Sequence, residues 1–197
     1  MNKHIAIAGT RKSCQMAGIS LIEVTIAILI LSIGALGLAS LQITAKRTNH
    51  EAMQRTVASS LAFDLIERMR ANPSALNDYV TAGVGSVVGA LPSEPAKNCL
   101  TQAGACTSAE LVAWDLWEWE RALNGATATR GVTAAGGLLN PMGCVTIANR
   151  VVTVEIAWQG FENLSVLNVG SGCGTGKYDT DDANRQLLEM VSYVGEG

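Results

Sequence analysis

Aromatic side chains make up only 5% of this 197-residue chain, and its Lys and Arg residues are scattered. A surface for single-stranded nucleic acid interleaves stacking rings with positive charge, and the material for one is missing. Positive charge is short overall: 14 Lys plus Arg stand against 17 Asp plus Glu, a net of −3. That argues against a broad polyanion-binding face, so nucleic acid is not an expected partner. Histidine occurs only as His4 and His50, no CxxC pair exists, and no Ser/His/Asp set can be assembled. The residues therefore point to no catalytic site, no metal and no cofactor. Nothing marks a second domain, and the length suits one compact domain plus a membrane helix.

Against these shortages stands one long apolar run. From Ile19 to Leu41 the only formally charged residue is Glu23. At about 1.5 Å per helical residue this run crosses a hydrocarbon core of roughly 30 Å. A carboxylate inside such a span is costly and asks for a partner. A removable secretory signal, with Lys3, Arg11 and Lys12 ahead and Gly37-Leu38-Ala39 before Ser40, would have an apolar region of only about 7 to 15 residues. This run is longer and holds a glutamate. A plain single-span anchor, with Glu23 snorkelling to the interface, is the other alternative. A lipoprotein signal is excluded, because Cys14 follows Arg11-Lys12-Ser13 with no apolar run ahead of it.

Gly18-Ile19-Ser20-Leu21-Ile22-Glu23 resembles the class III signal of type IV prepilins and type II secretion pseudopilins. The resemblance implies that a prepilin peptidase cuts after Gly18 and methylates the new amino terminus, Ile19, while the apolar segment is kept. Ile19 stands where that family usually has Phe. The resemblance also makes Glu23 the assembly residue that partners the terminal ammonium of a neighbouring subunit. The physics agrees, since each charge offsets the burial cost of the other. Cleavage would leave 11 Lys plus Arg against 17 Asp plus Glu, a net of −6.

Of five cysteines, Cys14 falls in this leader, leaving Cys99, Cys106, Cys144 and Cys173 beyond the span. An even set in an oxidising periplasm favours two disulfides, for which three pairings exist. Sequence proximity alone selects Cys99 with Cys106 and Cys144 with Cys173. The charge asymmetry is weak, because Lys46, Arg47 and Arg55 follow the span against Glu51. The signal and the cysteines together place the amino terminus inside. The expectation is a single-pass protein of the bacterial inner membrane with a periplasmic head, carried later to the cell surface in a pilus.

Beyond the span, Met53, Val57, Leu61, Leu65 and Met69 recur every four residues beside Ala62 and Ile66, which predicts an amphipathic helix. Asn72-Pro73 should end it. One helix is thus expected from about Ile19 to Ala71, with Gly34 and Gly37 permitting close contact or a bend. Residues 73 to 110 read as loop. A helix then runs to about Leu123, capped by Thr107 or Ser108, with Trp114 and Trp117 packing and Trp119 partly exposed. Strands follow at Gly143 to Ile147 and Arg150 to Gln159, joined through Ala148-Asn149. A connecting loop spans 160 to 184, and Arg185 to Val194 reads as a closing strand, with helix as the alternative. The expected fold class is α+β and pilin-like, a long N-terminal helix packed on a small antiparallel sheet. Its parts are a leader, 1–18, a long helix, 19–72, with its transmembrane part at 19–41, and a head, 73–197.

Two apparent sites fail on spacing. Gly170 to Lys177 mimics a phosphate loop, yet Ser171 and Tyr178 occupy positions where that loop needs Gly and Ser or Thr. Asp179, Asp181, Asp182 and Asn184 are read as a surface acidic loop rather than a calcium site, since Met190 replaces the closing glutamate of an EF-hand. More telling are residues 62–73, 117–123 and 152–158, which resemble the type IV pilus modification protein PilV family. That resemblance implies a minor pilin that primes and completes pilus assembly, with the tip as one position open to it. Its partners would be other minor pilins, the major pilin, the prepilin peptidase, the inner-membrane assembly platform and, before assembly, lipid. A type II secretion minor pseudopilin of the I class and a tip adhesin module are the alternative functions.

Overall fold

A computed structural model describes residues 18–85, 93–101, 106–130, 133–134, 136–161, 172–178 and 181–196. The chain divides into two compact units, Met1–Ala45 and Lys46–Gly197. Helix α1, Leu21–Ala71, belongs to both and stops where Asn72-Pro73 predicts. Residues 1–17, with Lys3, His4, Arg11, Lys12 and Cys14 of the expected leader, lie outside the described residues.

In the first unit every residue of α1 is exposed, and the helix is long and apolar enough to cross a membrane, with a mean hydropathy of 2.4 in its apolar window. The hydroxyls of Thr25 and Ser32 donate to the carbonyls of Ile22 and Leu29, each at 2.8 Å. A helix that satisfies its own polar side chains suits a medium without water.

In the second unit α1 buries Gln54, Ala58, Ala62, Leu65, Ile66 and Met69. This corrects the expected stripe, for Met53 is 59% exposed while Ala58 is fully buried. The reason is helical pitch: four steps of four residues drift about 160° around a helix of 3.6 residues per turn, so the series 53–69 cannot stay on one face. The face that closes mixes steps of three and four. Gln54 is tolerated on it because its Oε1 accepts the Leu139 N–H at 3.2 Å.

Residues 73–84, expected as loop, form a 3₁₀ helix, Pro73–Tyr79, and strand β1, Thr81–Val84. Such short elements carry no periodic signal of their own. Helix α2, Ser108–Leu123, starts on a capping box: the Thr107 hydroxyl accepts the Glu110 N–H, and Glu110 accepts the Thr107 N–H at 2.7 Å. Its inward face is Val112, Asp115, Trp119 and Leu123, so the expectation of a partly exposed Trp119 is overturned, since Trp119 is fully buried. Trp117 is the half-buried one, 4.8 Å from the Trp114 ring, with the Arg121 guanidinium over its own ring.

Two short strands, β2, Thr129–Arg130, and β3, Thr133–Ala134, pair antiparallel as a separate small sheet. The main sheet is antiparallel in the order β1-β4-β5-β6, with β4 at Met142–Ala148, β5 at Val151–Gln159 and β6 at Arg185–Tyr193. Val145, Val152, Val154, Ile156 and Trp158 join the α1 and α2 side chains in one core. The closing segment is a strand, as its pairing with β5 requires, and not a helix. The β4–β5 turn is Asn149-Arg150, one residue later than the pair read from sequence, with φ of 52° and 63°. Two left-handed residues make the primed turn that matches strand twist. Asn tolerates that geometry, and Arg150 is held in it because its Nε donates to the Val194 carbonyl at 2.8 Å. Gly143 on β4 makes room for Trp119, whose ring carbon would lie 2.3 Å from any added Cβ.

Candidate functional site

Gly18, Ile19 and Ser20 precede α1 in irregular, exposed backbone, and Glu23 sits in the first helical turn. A peptide bond just ahead of a helix, exposed and non-helical, is one a protease can bind in extended form. The Glu23 N–H donates to the Ser20 carbonyl at 3.0 Å, and a carboxylate in the first turn sits favourably on the helix dipole. Among the described residues no ion pair reaches Glu23. Its apolar neighbours, including Ile19, Leu21, Ile22, Ile26 and Ile30, are exposed as well. A Cβ added at Gly34 or Gly37 would meet nothing within 4 Å, so nothing among the described residues uses their small size.

The second unit is locked by a group of charges that sequence reading did not find. Arg68 donates to Asp64 at 2.9 Å, Asp115 at 3.0 Å and Glu118 at 2.7 Å, and the Tyr79 hydroxyl donates to the other Asp115 oxygen at 2.5 Å. Burial by itself would make Arg68 easier to deprotonate, but the three carboxylates outweigh it and hold its pKa above the ordinary arginine value. Burial, reinforced by Asp115, keeps Tyr79 protonated as a donor. Beside this group the Trp119 Nε1–H donates to the Leu61 carbonyl at 2.9 Å, and Asn72 donates to the Ser108 carbonyl at 2.8 Å. Residues 62–73 and 117–123, distant in sequence, are thus brought into direct contact. Acidic residues at 115 and 118 were a signal, but only the fold pairs them with Arg68.

Cys99 is bonded to Cys106 and Cys144 to Cys173. The second bond ties the segment 172–178 to β4, and Arg185 adds a hydrogen bond to the Cys173 carbonyl at 2.6 Å. Asp182 accepts the N–H groups of Gly176 at 2.7 Å and Tyr178 at 3.2 Å. Burial would raise its pKa, and these donors more than offset that, leaving it lowered. Asp182 therefore organises its own loop. Burial raises the pKa of Tyr178, whose hydroxyl donates to the Asn140 carbonyl at 2.8 Å. Gly170, Ser171 and Asp179 lie outside the described residues, and among those described no three His, Cys, Asp or Glu gather as a metal site. His50 lies on α1 with its ring edge-on to Phe161 at 5.1 Å, beside an open cleft of about 540 Å³ that Met53, Val57 and Leu138 also line.

Compared with known proteins, residues 40–117 match the family model described as Tt1218-like, type IV pilin Tt1218. The match supports a type IV pilin, a structural rather than catalytic kind of protein. It begins in the apolar part of α1 and runs through the Arg68–Asp115 pair into α2. No curated protein and no solved structure matches the chain.

Proposed function

We propose that this chain is a minor pilin of the type IV pilus, of the PilV kind, which primes and completes fibre assembly with other minor pilins. The observation that carries the reading is the exposed apolar stretch of α1 with one carboxylate in its first turn, continuous in sequence with the pilin match at residues 40–117. A single chain leaves this surface uncovered, and lipid before assembly or neighbouring helices after it would cover it. Prepilin peptidase cuts after Gly18 and methylates Ile19. Glu23 then receives the ammonium of an adjacent subunit, so that two charges enter the apolar fibre as a pair. The chain starts as a single-pass inner-membrane protein with its second unit in the periplasm, the compartment that would form its two disulfides. The assignment to a minor pilin is supported by residues 62–73 and 117–123, which resemble the PilV family and meet in the Arg68–Glu118 pair.

The test is Glu23→Ala. The variant should be cut normally, giving a mature mass that begins at methylated Ile19, but be largely absent from sheared pili. Wild-type amounts of the variant in the fibre overturn the assembly role. Deletion of the gene should remove surface pili and twitching; loss of exoprotein secretion with normal pili would instead assign the chain to a type II secretion pseudopilus.

A further inference from the structure

The two edges of the main sheet differ in a way that bears on what the second unit binds. The β1 edge is blunted: four residues long, with a register shift between Thr81 and Val84. The β6 edge pairs with β5 without interruption from Val151↔Tyr193 to Gln159↔Arg185. It has no proline, lysine or bulge, three of the devices with which proteins protect a long edge, and its one exposed charge is Glu189. The ends of the ladder fix which groups it leaves free. Gly160 donates to the Asn184 carbonyl at 2.8 Å and Val194 to the Arg150 carbonyl at 3.0 Å, so even-numbered residues of β6 exchange bonds with β5. The N–H and C=O groups of Leu187, Glu189, Val191 and Tyr193 therefore point away from the sheet. Among the described residues none hydrogen-bonds them.

The side chains on the outer face say what kind of strand this edge suits. Glu189 stands directly opposite Glu155, and among the described residues no cation pairs with either. Like charges facing each other across a ladder are destabilising. The next residues along that face, Val191 and Tyr193, are 56% and 61% exposed. We propose that the outer edge of β6 is a docking site for an extended strand of a different protein chain, carrying Lys or Arg opposite Glu189 and apolar residues opposite Val191 and Tyr193. An added strand would complete the open backbone bonds, and its cation would neutralise the Glu155–Glu189 row. A second copy of this chain fits poorly. In antiparallel self-pairing Glu189 meets its own equivalent or an apolar residue, and the one basic residue of the strand, Arg185, is buried against the Cys173 carbonyl. The inference is independent of the pilus assignment.

The test uses the full chain in detergent micelles and two blocked nonapeptides, Val-Thr-Val-Thr-Lys-Thr-Val-Thr-Val and its counterpart with a central Glu, with amide exchange read at each residue. The Lys peptide should slow exchange at Leu187, Glu189 and Val191 about tenfold or more, leaving the even-numbered amides of β6 unchanged. The Glu peptide should bind about fivefold more weakly. Glu189→Lys should reverse that preference. Val191→Pro removes an N–H that the fold does not use and should abolish protection by either peptide. Exchange unaffected by the Lys peptide at millimolar concentration overturns the proposal, as does protection that survives Val191→Pro or ignores Glu189→Lys. Protection that grows with protein concentration alone assigns the edge to a second copy, which also overturns it.

Discussion

Residues 21–45 and 46–71 belong to one continuous helix, yet they treat apolar side chains in opposite ways. In the first stretch Ile22, Leu31 and Leu38 are exposed; in the second Leu65 is fully buried and Ile66 nearly so. Secondary structure is the same in both, so burial and not helicity separates them. The carboxylates differ in parallel. Asp115 is buried with two donors from its own chain, whereas Glu23 has no ion-pair partner among the described residues. The second unit supplies the partners of its own buried carboxylate, whereas under the proposed function a neighbouring subunit supplies the partner of Glu23.

Substitutions that respect or violate this division test it, beginning with the core. Trp119→Ala removes a fully buried ring and its bond to the Leu61 carbonyl, and should destabilise the second unit by about 3–5 kcal/mol in denaturant unfolding followed by circular dichroism. A loss below about 1 kcal/mol would mean that the slot beside Gly143 collapses without cost. Asp115→Ala strands the Tyr79 hydroxyl and one contact of Arg68, for an expected loss of about 2–3 kcal/mol. If Tyr79→Phe combined with Asp115→Ala costs as much as the sum of the two single changes, the coupling between them is absent.

A smaller effect concerns the α2 cap. The Thr107 backbone N–H, followed by Lys97 and the Thr107 hydroxyl, holds the Glu110 carboxyl down at about 2 from an ordinary 4.5. Because the folded pKa is the lower one, the contribution of the cap is complete above about 4.5 and is lost as pH falls toward about 2. An NMR titration of Glu110 with its midpoint near 4.5 would contradict this. Leu31→Ala should matter least to folding, moving the stability of the second unit by less than about 0.5 kcal/mol. A larger shift would break the comparison by showing that the exposed run contributes to the core.

Much of this architecture was legible before any coordinates. The membrane-length run, the stop at Pro73, the capped second helix and the alternation of β5 are all local patterns, and local patterns are written in adjacent residues. The disulfide partners followed from proximity alone and carried no physical constraint until Cys173 was placed against β4. Apart from the stripe of α1, what was misread depends on distant residues. Trp119 is inside because Gly143 leaves it a slot, β1 exists because β4 offers a template, and the turn moved to Asn149-Arg150 because the C-terminal segment holds Arg150.

Composition and short-range spacing are enough to show that a long apolar helix with one early carboxylate precedes a small, acidic, cysteine-bearing domain. Which side of the helix faces the core, that Arg68 serves three carboxylates, and which sheet edge is unpaired among the described residues all required the folded chain. Each of these is a pairing between segments far apart in the chain, and residue spacing holds no record of such a pairing until the chain has folded.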